Sequence, residues 1–281
     1  DFTVISLTTA GDTNWVYIYN GPGNDDDVAY SIVYGADSNI YAAGYSTGIG
    51  TSGDFTVISL TTAGDTNWIY RCVIPISGFD GALSIVYGAD GNLYAAGQSA
   101  DVYNDFIVTS LTTTGAENWF FMYNGPGNDE DAAFSIVYGV DSNIYAAGYS
   151  TGSGTSSDFT VISFTTAGDD NWFYMYNGPA NSYDEAYSIV YGSDGNLYAA
   201  GASTGSGTYE DFIVISLTTA GDTNWIYRYN GPGNFHDRAS SIVYGSDSNI
   251  YAAGYSEGIG TNVDFTVISL TTAGDTNWVY I

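Results

Sequence analysis

Apolar and polar residues alternate along much of the chain with the two-residue period of a half-buried strand, and no segment has the period of a helix. In DFTVISL, which begins at Asp54, Phe55, Val57 and Ser59 alternate with Thr56, Ile58 and Leu60. A turn, TAGDTN, then leads to the tryptophan-bearing run WIYR. Elsewhere the short run SIVYG (residues 31–35) has the length and β-branched content of a buried strand. The turn ADSN follows it, and IYAAGYS (residues 40–46) returns as its hairpin partner. A Gly/Ser/Thr loop, TGIGTSG, ends the period. Each period therefore predicts four strands of about five to eight residues separated by turns.

The period itself recurs. DFTVISLTTAGDTNWVYI occupies residues 1–18 and again 264–281, and close variants begin at Asp54, Asp105, Asp158 and Asp211, giving spacings of 53, 51, 53, 53 and 53 residues. All six tryptophans sit at its fifteenth position: Trp15, Trp68, Trp119, Trp172, Trp225 and Trp278. Self-similarity at such a period marks a repeat architecture, and four short antiparallel strands per repeat is the pattern of a propeller blade. A lone four-stranded sheet leaves two faces open, which neighbouring blades bury. The expected fold is an all-β propeller of four-stranded antiparallel blades, about 53 residues per repeat, with five full blades and an N-terminal half-blade in a single domain. The half-blade spans 1–20 and the repeats about 21–73, 74–124, 125–177, 178–230 and 231–281. SIVYG is expected innermost and squeezed from both sides, IYAAGYS second, DFTVISL third and the tryptophan strand outermost.

The second repeat differs in its loops, reading CVIPISGFD (residues 72–80) where the first reads YNGPGNDDD, and QSADVYND in a loop shorter by two residues. A chain that begins at Asp1 in mid-repeat is expected to be a processed product or a window on a longer protein. A spare half-blade has an unpaired edge that favours docking onto other copies of the chain or onto other surface proteins.

Composition narrows the partners. Thirty-one carboxylates face three arginines, Arg71, Arg228 and Arg238, with no lysine, for a net charge of −28. Nucleic acid and anionic membrane surfaces both require basic residues that this chain lacks, so cations are the natural partners. No run approaches the ~20 apolar residues needed for membrane insertion as a helix. The one cysteine, Cys72, permits no intramolecular disulfide.

The order DF-x-VISL-TTAG-x-x-NW, then YNGPGN (residues 19–24, 123–128 and 229–234), a D-x-N turn and YAAGYS resembles the SBBP type of β-propeller repeat, and more loosely the Delta-60 repeat. The resemblance covers the whole chain. It departs from the family in having no lysine, in the Ala of YAAG and in the altered second repeat. It implies a secreted or surface-attached microbial protein, extracellular or at the cell surface, and it carries over no catalytic residue.

One aspartate precedes each first-strand serine by four residues: Asp27, Asp80, Asp131, Asp184 and Asp237. These carboxylates either accept backbone N–H groups where the chain enters the strand, tying adjacent blades, or form a series of calcium sites. In the calcium reading Asn24, Asp25 and Asp26, with their counterparts Asn128, Asp129 and Glu130, supply further oxygens. The pairs Asp37/Asn39, Asp90/Asn92, Asp141/Asn143, Asp194/Asn196 and Asp247/Asn249 read as turn chemistry. Asp1, Asp54, Asp105, Asp158, Asp211 and Asp264 read as loop ends. The tryptophans read as blade-to-blade packing, with stacking on glycans as the alternative. His236 and Cys72 each occur in one repeat only, so neither belongs to a repeated catalytic site. The expectation is a non-enzymatic structural or adhesion scaffold without a certain cofactor, the alternative being a carbohydrate-binding, lectin-like propeller.

Overall fold

A computed structural model describes residues 1–72, 78–100, 103–260 and 262–281. Most of the altered CVIPISGFD loop, the boundary at 73/74 and the middle of QSADVYND lie outside the described residues. Two compact units emerge, residues 1–124 with 129–138 and residues 125–128 with 139–281. Among the described residues every regular element is a strand. The first unit carries β1 (Phe2–Leu7), β2 (Thr13–Tyr19), β3 (Asp27–Tyr34), β4 (Asn39–Thr47), β5 (Gly53–Thr61), β6 (Thr66–Cys72), β7 (Gly81–Tyr87), β8 (Asn92–Ala100), β9 (Asn104–Thr112), β10 (Glu117–Tyr123) and β11 (Asp131–Tyr138). The second carries β12 (Asn143–Thr151), β13 (Ser157–Thr165), β14 (Asp170–Tyr176), β15 (Asp184–Tyr191), β16 (Asn196–Thr204), β17 (Glu210–Thr218), β18 (Thr223–Tyr229), β19 (Asp237–Tyr244), β20 (Asn249–Glu257), β21 (Val263–Thr271) and β22 (Thr276–Tyr280).

These strands form five sheets of four, hydrogen-bonded in sequence order, and one sheet of two, β1–β2. The protein is thus an all-β propeller with five full blades and a half-blade. The half-blade, blade one (β3–β6) and blade two (β7–β10) belong to the first unit; blade four (β15–β18) and blade five (β19–β22) belong to the second. The expected strand order within a blade is the observed one.

Burial is distributed differently from the expectation. In blade four the two middle strands, β16 and β17, are buried along seven consecutive positions each, whereas β15, which carries SIVYG, is only half-buried over much of its length. A middle strand has sheet neighbours on both edges and blades against both faces, while β15 lies at a sheet edge. The small residues of YAAG permit that crowding. A Cβ on Gly201 would lie 1.8 Å from the Glu185 carbonyl oxygen, beside the bulge where the β15–β16 register shifts. Only glycine fits there.

Successive blades join through one recurring interface. In the second unit Phe212 and Val214 of blade four share a buried cluster with Ala252, Ile268 and Leu270 of blade five. In the first unit Phe2 and Val4 of the half-blade share one with Ala42, Ile58 and Leu60 of blade one. The first strands touch as well: the Ile85 N–H donates to Ser31 Oγ at 3.2 Å, and the Ile242 N–H to Ser188 Oγ at 3.3 Å. The indoles of Trp15, Trp68, Trp172 and Trp225 reach the following blade, Trp68 Nε1–H donating to the Thr113 carbonyl at 2.8 Å and Trp225 Nε1–H to that of Thr272 at 2.9 Å. The rings pack between blades.

Candidate functional site

The recurrent aspartates occupy one position per blade, each at the start of a first strand. Asp27 is buried and accepts the Gly21 N–H at 2.8 Å and the Thr47 N–H at 3.0 Å. In the second unit Asp237 accepts the Gly231 N–H at 2.6 Å and the Glu257 N–H at 3.2 Å, and Asp184 the Gly178 N–H at 2.6 Å. The Ser99 hydroxyl donates to Asp80. Asp131 is also fully buried. Asp27, Asp80, Asp184 and Asp237 therefore tie the incoming loop, the end of the second strand, or both, to their own blades. Burial raises the Asp184 and Asp237 carboxyls above the ordinary aspartate range, against the lowering effect of these hydrogen bonds.

The additional oxygens of the calcium reading are engaged in turns. Asn24 and Asn128 both have left-handed backbones, φ 51°. Asn24 Oδ1 accepts from Asn20 Nδ2 at 2.8 Å. Asp25 and Asp129 each accept the following residue's N–H, that of Asp26 and of Glu130, at 2.9 Å. No group of three or more His, Cys, Asp or Glu side chains suited to a metal ion occurs among the described residues.

The hairpin pairs form a local lock. Asp37 accepts from the Tyr41 hydroxyl at 2.5 Å and from the Asn39 side chain at 3.0 Å, and the same bonds recur at Asp90, Asp141, Asp194 and Asp247. At the exposed Asp247 these bonds, Tyr251 first, hold the carboxyl down at about 2.

Two ion pairs escaped the reading of the sequence. Asp54 and Asp211, read as loop ends, are buried and pair with Arg71 and Arg228, the latter at 2.8 Å. Both arginines stand at the eighteenth position of the repeat, where Met122 and Met175 stand in two others. Asp158, beside Met175's strand, is buried with its Oδ1 unpartnered; burial raises its carboxyl, and the 3.0 Å bond from Thr155 Oγ1 only partly offsets that. The positional coincidence of the two arginines was the available signal.

The third arginine builds a cluster that breaks the repeat. Between blades four and five Arg238 grips Glu210 with Nε to Oε2 at 2.5 Å and Nη2 to Oε1 at 2.8 Å, and its guanidinium lies 5.8 Å from the Tyr187 ring centre. His236 Nδ1 lies 3.2 Å from Glu210 Oε2, and its ring packs on Tyr209 at 4.9 Å between centres. Tyr209 and Phe235 contact each other, and both are exposed. Burial, then Glu185, raises the Tyr187 phenol, whose hydroxyl donates to Glu185 at 2.5 Å. This arrangement pairs planar polar groups with exposed aromatic faces. In the first unit burial pushes the Cys72 thiol up to about 11, which favours the protonated form at neutral pH.

No family model matches the chain, and no curated protein matches it. Solved structures do. A protein of unknown function from Dyadobacter fermentans superposes with a TM-score of 0.54 at 11% identity, over 91% of this chain and 81% of that one. A eukaryotic initiation factor gives 0.54 at 10% identity, over 99% of this chain and 60% of that one. The quinohemoprotein alcohol dehydrogenase ADHIIG of Pseudomonas putida gives 0.54 at 11% identity, over 95% of this chain and 49% of that one. The chain thus spans less than two thirds of the latter two. These likenesses establish the fold alone.

Proposed function

We propose that this protein is a non-enzymatic scaffold of the extracellular space or cell surface, built from SBBP-type propeller repeats and able to associate with itself. The observation that carries the reading is where the recurrent polar residues are spent. Asp27, Asp184 and Asp237 hold loops to strands, Asp37 and its equivalents lock hairpins, and the tryptophans tie blade to blade. A repeat preserved for ligand chemistry would keep such groups facing solvent. Location outside the cell rests on the resemblance to secreted repeat proteins. Labelling intact and permeabilised producing cells with an antibody tests it: the scaffold reading expects equal signal from both, and signal only after permeabilisation would sink it.

One observation favours a second reading, a carbohydrate-binding propeller. Tyr209 and Phe235 expose ring faces beside the Arg238–Glu210 pair and His236, a combination that can stack on a sugar ring and bond its hydroxyls. A glycan screen separates the two. Saturable binding lost in both Tyr209→Ala and Phe235→Ala would replace the scaffold by the lectin; the scaffold reading expects none.

A further inference from the structure

The interface that joins successive blades has two unlike halves. The projecting half is the Phe/Val side of a third strand together with the Trp and Tyr of the fourth. The receiving half is the Ile/Leu side of the next blade with its TAGD turn. In the first unit Trp15 Nε1–H donates to the Thr62 carbonyl at 2.9 Å, and its indole covers Gly64, where a Cβ would stand 2.8 Å from Trp15 Cδ2. Thr66 Oγ1 donates to the Tyr17 hydroxyl at 3.1 Å. In the second unit Trp225 covers Gly274 in the same way.

Residues of the projecting half are exposed on blade five, and residues of the receiving half are exposed on the half-blade. On blade five Phe265 is 65% exposed and Trp278 46%, and with Val267 and Tyr280 they line an open apolar recess of about 600 Å³. On the half-blade Leu7 is 57% exposed, although its repeat equivalents Leu60 and Leu111 are fully buried. Gly11, the equivalent of Gly64, has nothing within 4 Å of where its Cβ would be.

We infer that blade five of one copy docks on the half-blade of a second copy through the contacts that join blades inside the chain. The repeat spacing fixes the pairs. Phe265 and Val267 meet Ile5 and Leu7, as Phe2 and Val4 meet Ile58 and Leu60. The Trp278 indole N–H donates to the Thr9 carbonyl and its ring covers Gly11. The occupant is a second copy because the receiving surface that fits this face, down to a bare glycine under the indole, is carried by the same chain. The contact is heterologous, so each addition leaves a fresh pair of open faces, and growth continues unless the assembly closes on itself. With a net charge of −28 per copy, like-charge repulsion opposes association, and salt relieves it.

This deepens the self-associating part of the scaffold reading. The test is sedimentation velocity on the intact chain at rising protein concentration, in low and high sodium chloride, with two variants. Expected are species at multiples of 29.8 kDa that grow with concentration and with salt. Phe265→Glu, on the projecting half, and Leu7→Glu, on the receiving half, each leave a monomer with an unchanged circular dichroism spectrum. Mixed, they form a heterodimer and nothing larger, because one supplies an intact receiving face and the other an intact projecting face. Assemblies indifferent to both substitutions would overturn this interface while leaving self-association standing. A wild-type chain that stays monomeric at every concentration and salt would overturn both.

Discussion

Phe212 and Phe265 are the same residue of the same repeat one blade apart, in strands of the same sequence pattern. Phe212 is fully buried because blade five lies against it; Phe265 is exposed. Leu60 and Leu7 differ in the same way in the first unit. Identical residues thus acquire opposite energetics from one fact, the presence or absence of a neighbouring blade, which is the nearest-neighbour logic of repeat proteins. The comparison is sharpest by truncation. Phe212→Ala should destabilise by about 3–5 kcal/mol, since it removes a large side chain from a packed interface and leaves a cavity. Phe265→Ala should cost less than about 1 kcal/mol in a monomeric sample, because little is buried there to lose. Urea unfolding of both variants reads the difference, and equal costs would refute the assignment of the open face.

A second contrast lies inside the array. Arg228 neutralises buried Asp211, while Met175, at the same repeat position, leaves Asp158 without a cation. Arg228→Met should strand a buried carboxylate and cost about 2 kcal/mol, at the lower side of what breaking a buried pair costs because the arginine is partly exposed. The reverse change, Met175→Arg, should stabilise by less than about 1 kcal/mol, since the gain in pairing is set against the desolvation of a new charge. Both are measurable as shifts in the urea midpoint. If Arg228→Met were neutral, the pair would be incidental to the fold.

What the sequence disclosed and what it withheld divide along the same line. The six-fold phrase, the turns at Asp37 and Asp247 and the role of the tryptophans follow from local pattern, because a hairpin or a fixed strand position determines their surroundings. The Asp211–Arg228 pair needs the register of β17 on β18, in which Ile213 stands opposite Arg228. Arg238 and Glu210 meet only because blade five packs on blade four, and their 28-residue separation announces nothing. The greater burial of the YAAG and DFTVISL strands was hidden for a similar reason. Small and polar residues such as Gly201 and Ser216 look solvent-facing until two neighbouring blades close over them.

The exposed and buried aspartates also respond oppositely to pH. At Asp247 hydrogen bonds from Tyr251 and Asn249 lower the carboxyl to about 2, and Asp37 and Asp194 are lowered on balance by the same bonds although burial opposes it. Their stabilisation is present above the ordinary value of 3.8 and is lost as pH falls through the lowered values. Asp158, Asp184 and Asp237 are raised by burial, so their contribution is full below 3.8 and is lost as pH rises through the raised values. The melting temperature should therefore pass through a maximum in the mildly acidic range, falling both toward neutrality and toward pH 2. Self-repulsion of the −28 charge acts in the same direction on the neutral side. Tyr251→Phe should shallow the acid limb. A melting temperature that climbs steadily to neutral pH would contradict the assignment of the buried group.

The smallest expected effect is that of removing calcium. A carboxylate that already accepts two backbone N–H groups, as Asp27 and Asp237 do, has acceptor sites occupied by the fold itself, and a cation would have to compete with those donors. The neighbouring Asp25 and Asp129 are committed to turns, and a calcium ion requires six to eight oxygens, with no three carboxylates grouped among the described residues. Dialysis against a chelator should leave the melting temperature unchanged, and returning calcium should shift it no more than magnesium or sodium at matched ionic strength. A rise specific to calcium would show that the loops rearrange to gather these oxygens. Asp27→Asn then distinguishes the two roles. If the carboxylate serves only the backbone, the amide keeps an acceptor oxygen for Gly21 or Thr47 and the loss is partial; if it serves a cation, the calcium response disappears altogether.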